Sequence, residues 1–194
     1  MATVGFDSAK IAILDENEQT SAENTFTIDG KSGGAVEANV TGLAPAQNIV
    51  WASNVPFRVL SKGTGDIKIA LSLGDIESLP DGAVDKILGR TQNEQGITVV
   101  GADTQPPYCA VELITHDSLN NKLFFGLLKV QFTFDGDDIK TTDNNGPQAS
   151  SDVLNGAGIA RASDALSYVK ARESDQVTQE VFETFIFPQA VPAA

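Results

Sequence analysis

Residues 122–134 read KLFFGLLKVQFTF, and their alternation decides the fold class. Phe124, Leu128, Val130, Phe132 and Phe134 fall on one face of an extended chain. The opposite face changes along its length, from Leu123, Phe125 and Leu127 to Lys129, Gln131 and Thr133. Period two over so long a run predicts a β-strand, because successive side chains of a strand point to opposite sides. The change on the second face predicts that the strand leaves a dry interface and enters a wet one. The chain then turns acidic: DGDDIKTTDNNG, residues 135–146, is either a metal loop at the strand's end or a solvated connection.

Outward from this stretch the same period recurs. YCAVELIT (108–115) puts Cys109, Val111 and Leu113 on one face, and HDSLNN (116–121) separates it from the long strand, which predicts a hairpin turning at Asn120-Asn121. In DIKIALSL (66–73), Ile67, Ile69, Leu71 and Leu73 alternate with Lys68, Ala70 and Ser72, as in a half-buried antiparallel strand. AVEANVTGL (35–43) is a weaker copy, with Glu37, Asn39 and Thr41 on its polar side. Shorter strands are expected at 10–14, 49–52, 57–60, 97–100 and 165–171. Helix is scarce. PDGAVDKILG (80–89) has Val84, Ile87 and Leu88 at helical spacing, with Pro80 suited to the first turn and Gly89 to the residue after the end. QVTQEVFETFIF (176–187) fits both periods and is assigned to helix. The stretches 15–34 and 135–163 read as polar connections. The fold class is mainly β, a sandwich or barrel with one flanking helix and long loops.

Composition narrows the function. The 194 residues carry a formal charge of −13. Such a surface repels phosphate rather than releasing counterions from it, which excludes stable nucleic-acid binding. Cys109 is the single cysteine, so an intrachain disulfide and a cysteine-based zinc cluster are excluded. No apolar run reaches the roughly 18 residues of a membrane-spanning helix, and MATVGFDSAK lacks the basic start and apolar stretch of a secretory leader.

Motifs of chemistry are incomplete. Gly30-Lys31-Ser32 resembles the end of a phosphate loop, but Thr25 stands where the leading glycine belongs. The GTG at 63–65 and GAG at 156–158 lack the third glycine of a dinucleotide site, Lys68 and Arg161 taking its place, and both are read as turns. His116, the lone histidine, is expected as an exposed turn residue, and Cys109 as a small core residue. A calcium loop of EF-hand type fails in both registers: from Asp135, Ile139 and Lys140 occupy the fifth and sixth positions, and from Asp143, Pro147 occupies the fifth. A calcium site of another kind on Asp135, Asp137 and Asp138 stays open as an alternative. No catalytic, cofactor or metal residues are assigned.

The order of segments resembles the major tail proteins of long-tailed phages, the tail-tube proteins of siphophages, and is most similar to the phi13-type group. The resemblance runs through VGFDSAKIAILDEN, GGAVEANVTGL, IVWASNVPFRVLSKGTGDIKIALSLGDI, AVDKILG, PPYCAVELIT, NKLFFGLLKVQFTFDGDDIKTTDN and VFETFIFP, over most of residues 4–188. It implies a single tail-tube domain over 1–194, without a further immunoglobulin-like C-terminal domain. It also implies a homohexameric ring closed around a β-barrel, stacking of rings into a tube, and passage of DNA without specific binding, catalysis or cofactor. Implied partners are further copies of the chain, a tape measure protein, a tail terminator and distal tail proteins, with no membrane. The implied location is the virion tail, after assembly in the host cytoplasm.

Two groups of residues are singled out on this basis. Glu37, Asn39, Thr41, Asp66, Lys68 and Ser72 are expected to face the lumen. Trp51, Val55, Phe57 and Val59 form an apolar patch expected between rings, unless 49–52 and 57–60 are ordinary core strands. The acidic run 135–146 is expected at a ring rim. Two other readings remain: a tube protein of a contractile tail or a type VI secretion-like system, and a monomeric β-sandwich module binding sugar or peptide. Ten Phe against one Trp and two Tyr argue against the module, because sugar platforms favour Trp and Tyr.

Overall fold

A computed structural model describes residues 3–45, 47–137 and 152–189. One antiparallel sheet dominates. Its strands are β1 (Thr3–Leu14), β2 (Thr20–Ile28), β3 (Ala35–Thr41), β6 (Ile67–Leu73), β9 (Tyr108–Asp117), β10 (Lys122–Phe134), β11 (Asp152–Gly158) and β12 (Tyr168–Arg172). The spatial order is β2-β1-β9-β10-β11-β6-β3, with β12 also on β10. Two hairpins stand apart from it: β4 (Gln47–Ala52) with β5 (Val55–Ser61), and β7 (Thr91–Gln92) with β8 (Thr98–Val99). The helices are α1 (Ala83–Ile87) and α2 (Gln179–Ile186).

The sheet bends upon itself. Ala9, Ile11, Phe26 and Ile28 from one end of the path share a buried cluster with Ile67, Ile69, Leu71 and Leu73 from the other. Val111, Val130, Phe132 and Leu154 fill its middle, and Val84 and Ile87 of α1 close it. The two halves therefore face each other as in a sandwich, and β3 comes close to β1 without hydrogen-bonding to it, so the barrel is not closed. Gly89 ends the α1 segment with φ +64, and a β-carbon there would lie 2.1 Å from the Gln105 carbonyl oxygen, so only glycine fits.

A second, smaller cluster lies on the other side of β1, β9 and β10. Ala12, Leu14, Ala110, Ile114, Phe124 and Leu128 are covered there by Phe182, Ile186 and Phe187. The helix expected at the C-terminal end is thus present, and Thr178 caps it by accepting from the Val181 amide. The helix read over 80–89 is present as well, as α1.

β10 serves both clusters, one on each face, and a bulge exchanges which residues face which. Leu127 pairs with Val111 and Val130 with Cys109, so three steps on β10 match two on β9. One extra residue inverts the alternation. Phe124 and Leu128 consequently face α2, whereas Val130 and Phe132 face the main core. The expectation of one common face for Phe124 through Phe134 is corrected accordingly. The opposite edge of β10 changes partner at the same point, from β12 along Leu123–Leu127 to β11 along Val130–Phe134.

Both stretches taken as polar connections contain strands. β2 lies within 15–34, and β11 lies within 135–163. The GAG at 156–158 is therefore strand and not turn. A β-carbon at Gly156 would meet Val130 Cγ1 at 2.6 Å and Ile69 Cγ2 at 2.8 Å, so these neighbours fill the space a side chain would need.

Candidate functional surfaces

The residues expected in the lumen lie together. In the β3–β6 register, Glu37 pairs with Ser72, Asn39 with Ala70 and Thr41 with Lys68. Their opposite faces carry the core residues Ile67, Ile69, Leu71 and Leu73, so period two turns the polar set outward. Glu37, Asn39, Thr41, Asp66 and Lys68 are exposed and Ser72 is half-buried.

The same face continues over strands that the sequence reading did not include. In the β6–β11 register Ala70 pairs with Asn155, and in the β10–β11 register Asn155 pairs with Thr133 and Ala157 with Gln131. The Thr133 hydroxyl donates to the Asn155 carbonyl at 3.3 Å, and the Asn155 amide donates to the Asp135 carboxylate at 3.1 Å. A shallow depression of about 340 Å³ is lined by Asn39, Thr41, Lys68, Ala70 and Asn155. Four adjacent strands therefore present a sheet of Asn, Thr, Ser and Gln, with Glu37, Asp66 and Asp135 against Lys68. Uncharged hydrogen-bonding groups with a small acidic excess offer a polyanion no counterion release.

The β4–β5 hairpin settles its own alternatives. Trp51 is 63% exposed and Phe57 67% exposed, and Val55 and Val59 are exposed as well. Neither strand joins the main sheet. Residues 49–52 and 57–60 are thus strands, but not core strands. Ser53 and Asn54 turn the hairpin with φ of 51° and 66°, conformations that Asn tolerates through its short polar side chain. The hairpin thus exposes a cluster of large apolar side chains outside the main sheet.

The remaining candidates resolve individually. His116 is half-buried rather than free in the turn, its Nδ1 lying 2.7 Å from an Asp7 carboxylate oxygen. Cys109 is fully buried, and burial pushes its thiol up to about 12. Lys31 and Ser32 donate their backbone amides to the Asp29 carboxylate, which makes Gly30-Lys31-Ser32 a side-chain-closed turn. No metal-ligating cluster occurs among the described residues. Asp138 and most of the acidic run lie outside those residues. No helix of the described residues is long and apolar enough to cross a membrane.

Glu18 is a buried charged residue that sequence reading missed. It sits in the β1–β2 turn with φ +60, and its carboxylate accepts from the amides of Ala162 and Ser163 and from the Lys129 ammonium at 2.7 Å. Burial alone would raise its pKa, but the Ala162 amide, Lys129 and the Ser163 amide outweigh burial and hold it at about 2. The turn is thereby tied to the loop between β11 and β12.

The sequence matches a known family over residues 1–186, that of the phage tail tube protein. The chain belongs to the phage tail tube protein family. A tail tube protein is a structural component of the virion tail. No curated protein is similar enough to count as a relative of this tail tube protein.

Proposed function

We propose that six copies join side by side into a ring, that rings stack into the tube of a long, non-contractile tail, and that the tube conducts phage DNA during ejection. The observation that carries this reading is the separation of surfaces: a continuous polar face over β3, β6, β11 and β10, and an exposed apolar hairpin that lies outside the main sheet, in the connection from β3 to β6. The polar face lines the channel. Its Asn, Thr, Ser and Gln hydrate the wall, and its acidic excess, repeated by each copy, keeps phosphate from adhering. Trp51, Val55, Phe57 and Val59 of the hairpin contact the next ring. β3 supports lateral joining, because it ends the sheet with one edge unpaired, and such an edge is stabilised by pairing with another chain. The tube's ends meet the tape measure protein within and the terminator and distal tail proteins at its limits.

Electron cryomicroscopy of purified protein at high concentration, or of tails containing it, tests this reading. The expected result is a six-fold ring with Glu37, Asn39 and Asn155 on the inner wall and the hairpin reaching an adjacent ring. A chain that stays monomeric in every condition and is absent from any tail overturns it. A tube wrapped by a contractile sheath overturns the assignment to a non-contractile tail.

A further inference from the structure

We propose that Glu112 is a proton-operated latch for α2: protonated, it holds the helix closed on the β1–β9–β10 face, and on losing the proton it loosens the helix.

Glu112 sits in the middle of β9 and is 0% exposed. Its parity places it with Ala110 and Ile114 on the α2 side. Neither carboxyl oxygen has a hydrogen-bond donor in reach among the described residues. A buried carboxylate without a donor is costly, so the arrangement points to a neutral acid. Its surroundings explain why. On β1, Lys10 pairs with Glu112 in register, but the Lys10 ammonium is 2.5 Å from Glu183 of α2 and so already engaged. Glu183 itself lies beside Glu112, and Gln179 donates to it at 2.9 Å. On β10 the register partner is Gly126, which has no side chain to offer, and Lys122 reaches Gln179 at 3.5 Å. β12 brings Val169 and Ala171 to this side, while Lys170 lies over the Phe125 ring. His116 on β9 is paired with Asp7. Two carboxyl groups therefore share one cation. With a proton on Glu112 the pair becomes donor and acceptor; without it, like charges face each other beneath the helix.

Burial pushes Glu112 up to about 7, the Glu183 carboxylate adding to the rise and Lys10 opposing it. A carboxyl raised in the closed state favours closure below the ordinary value of 4.5 and loses that contribution as pH rises towards 7. The latch consequently works across the neutral range and opens in the alkaline direction.

Hydrogen–deuterium exchange on the full chain, corrected for intrinsic exchange rates, reads the latch directly. Protection of the α2 amides should fall roughly tenfold or more between about pH 5.5 and about pH 8.5, with the amides of β9 and β10 changing far less. Glu112→Gln should abolish this pH dependence. Glu183→Gln, which frees Lys10 to neutralise Glu112, should shrink it and move it to lower pH. Wild-type pH dependence in Glu112→Gln overturns the proposal. So does equal loss of protection in β9 and β10, which would be global destabilisation. Should Glu112→Gln not fold, an unaltered profile in Glu183→Gln overturns it alone.

Discussion

Gly126 lies directly beneath Ile186. A β-carbon at position 126 would stand 2.4 Å from Ile186 Cδ1 and 2.8 Å from Val169 Cγ2. The helix rests on bare backbone here, which lets Phe182 stack on Phe124 with ring centroids 5.3 Å apart. Gly126→Ala must shift the Ile186 and Val169 side chains or the elements that carry them. It should cost about 1–3 kcal/mol, as overpacking of a filled site does. Urea unfolding monitored by circular dichroism measures it; an unchanged midpoint would show that the helix adjusts freely.

The double substitution Trp51→Ala with Phe57→Ala removes two exposed side chains. Surface changes of this kind usually stay within about 0.5 kcal/mol, so the melting temperature should hardly move. Tube elongation, followed by sedimentation and electron microscopy, should fail. A loss of several kcal/mol would instead mean that the pair is buried in the subunit.

Glu18 contributes to stability through its depressed pKa. A carboxyl lowered in the folded state stabilises above its unfolded value and stops doing so as pH falls through its folded one. Its contribution should accordingly be present above the ordinary 4.5 and vanish as pH falls towards about 2. Glu18→Gln should be less stable than wild type at neutral pH, and the difference should close on acidification. Parallel urea midpoints at several pH values decide; a constant difference would assign Glu18 a role independent of charge.

Cys109 offers a probe of global opening. Its thiol is buried and pushed up to about 12, so the reactive thiolate is scarce. A colourless-to-coloured disulfide reagent should find no thiol in the native protein at about pH 8 and one per chain in denaturant. Rapid native labelling would reveal an opening of the main core.

Glu37→Lys combined with Asp66→Lys reverses the acidic excess of the polar face. Both positions are exposed, so the fold should persist. Phage carrying these tails should eject DNA more slowly, as a basic wall retains phosphate. Unaltered ejection kinetics would remove both residues from the channel.

Strong alternation made β6 legible in the sequence, because one of its faces is packed on the core, and long apolar runs parted by turn residues made β9 and the hairpin to β10 legible, because both of their faces are covered. The polar face of β3 and β6 followed from the alternation. What escaped has physical causes. β2 buries Thr20, Phe26 and Ile28 and leaves most of the rest at least partly exposed, so an edge strand looks like a polar loop. β11 contributes Gly156, Ala157 and Gly158, since its neighbours Val130 and Ile69 occupy the space above it. Small residues carry no hydrophobic period, and with β11 went Asn155, the residue that extends the candidate lining to β10.

The bulge between Leu127 and Val130 was invisible for a different reason. Both Leu128 and Val130 are apolar and even-numbered, and nothing local distinguishes a strand that continues from one that inverts. Glu18 was hidden because its partners, Lys129, Ala162 and Ser163, are distant along the chain.

The shared strand also has a mechanical meaning. A strand that presents Leu127 and Val130 to one core and Phe124 and Leu128 to the other makes the two cores share a single spine. Pulling β10 out of either would strip the other, so the strand cannot leave one core and keep its place in the other, whereas α2 can lift from its face with β9 and β10 in place. Under tension β10 is therefore the strand whose loss would take both cores with it.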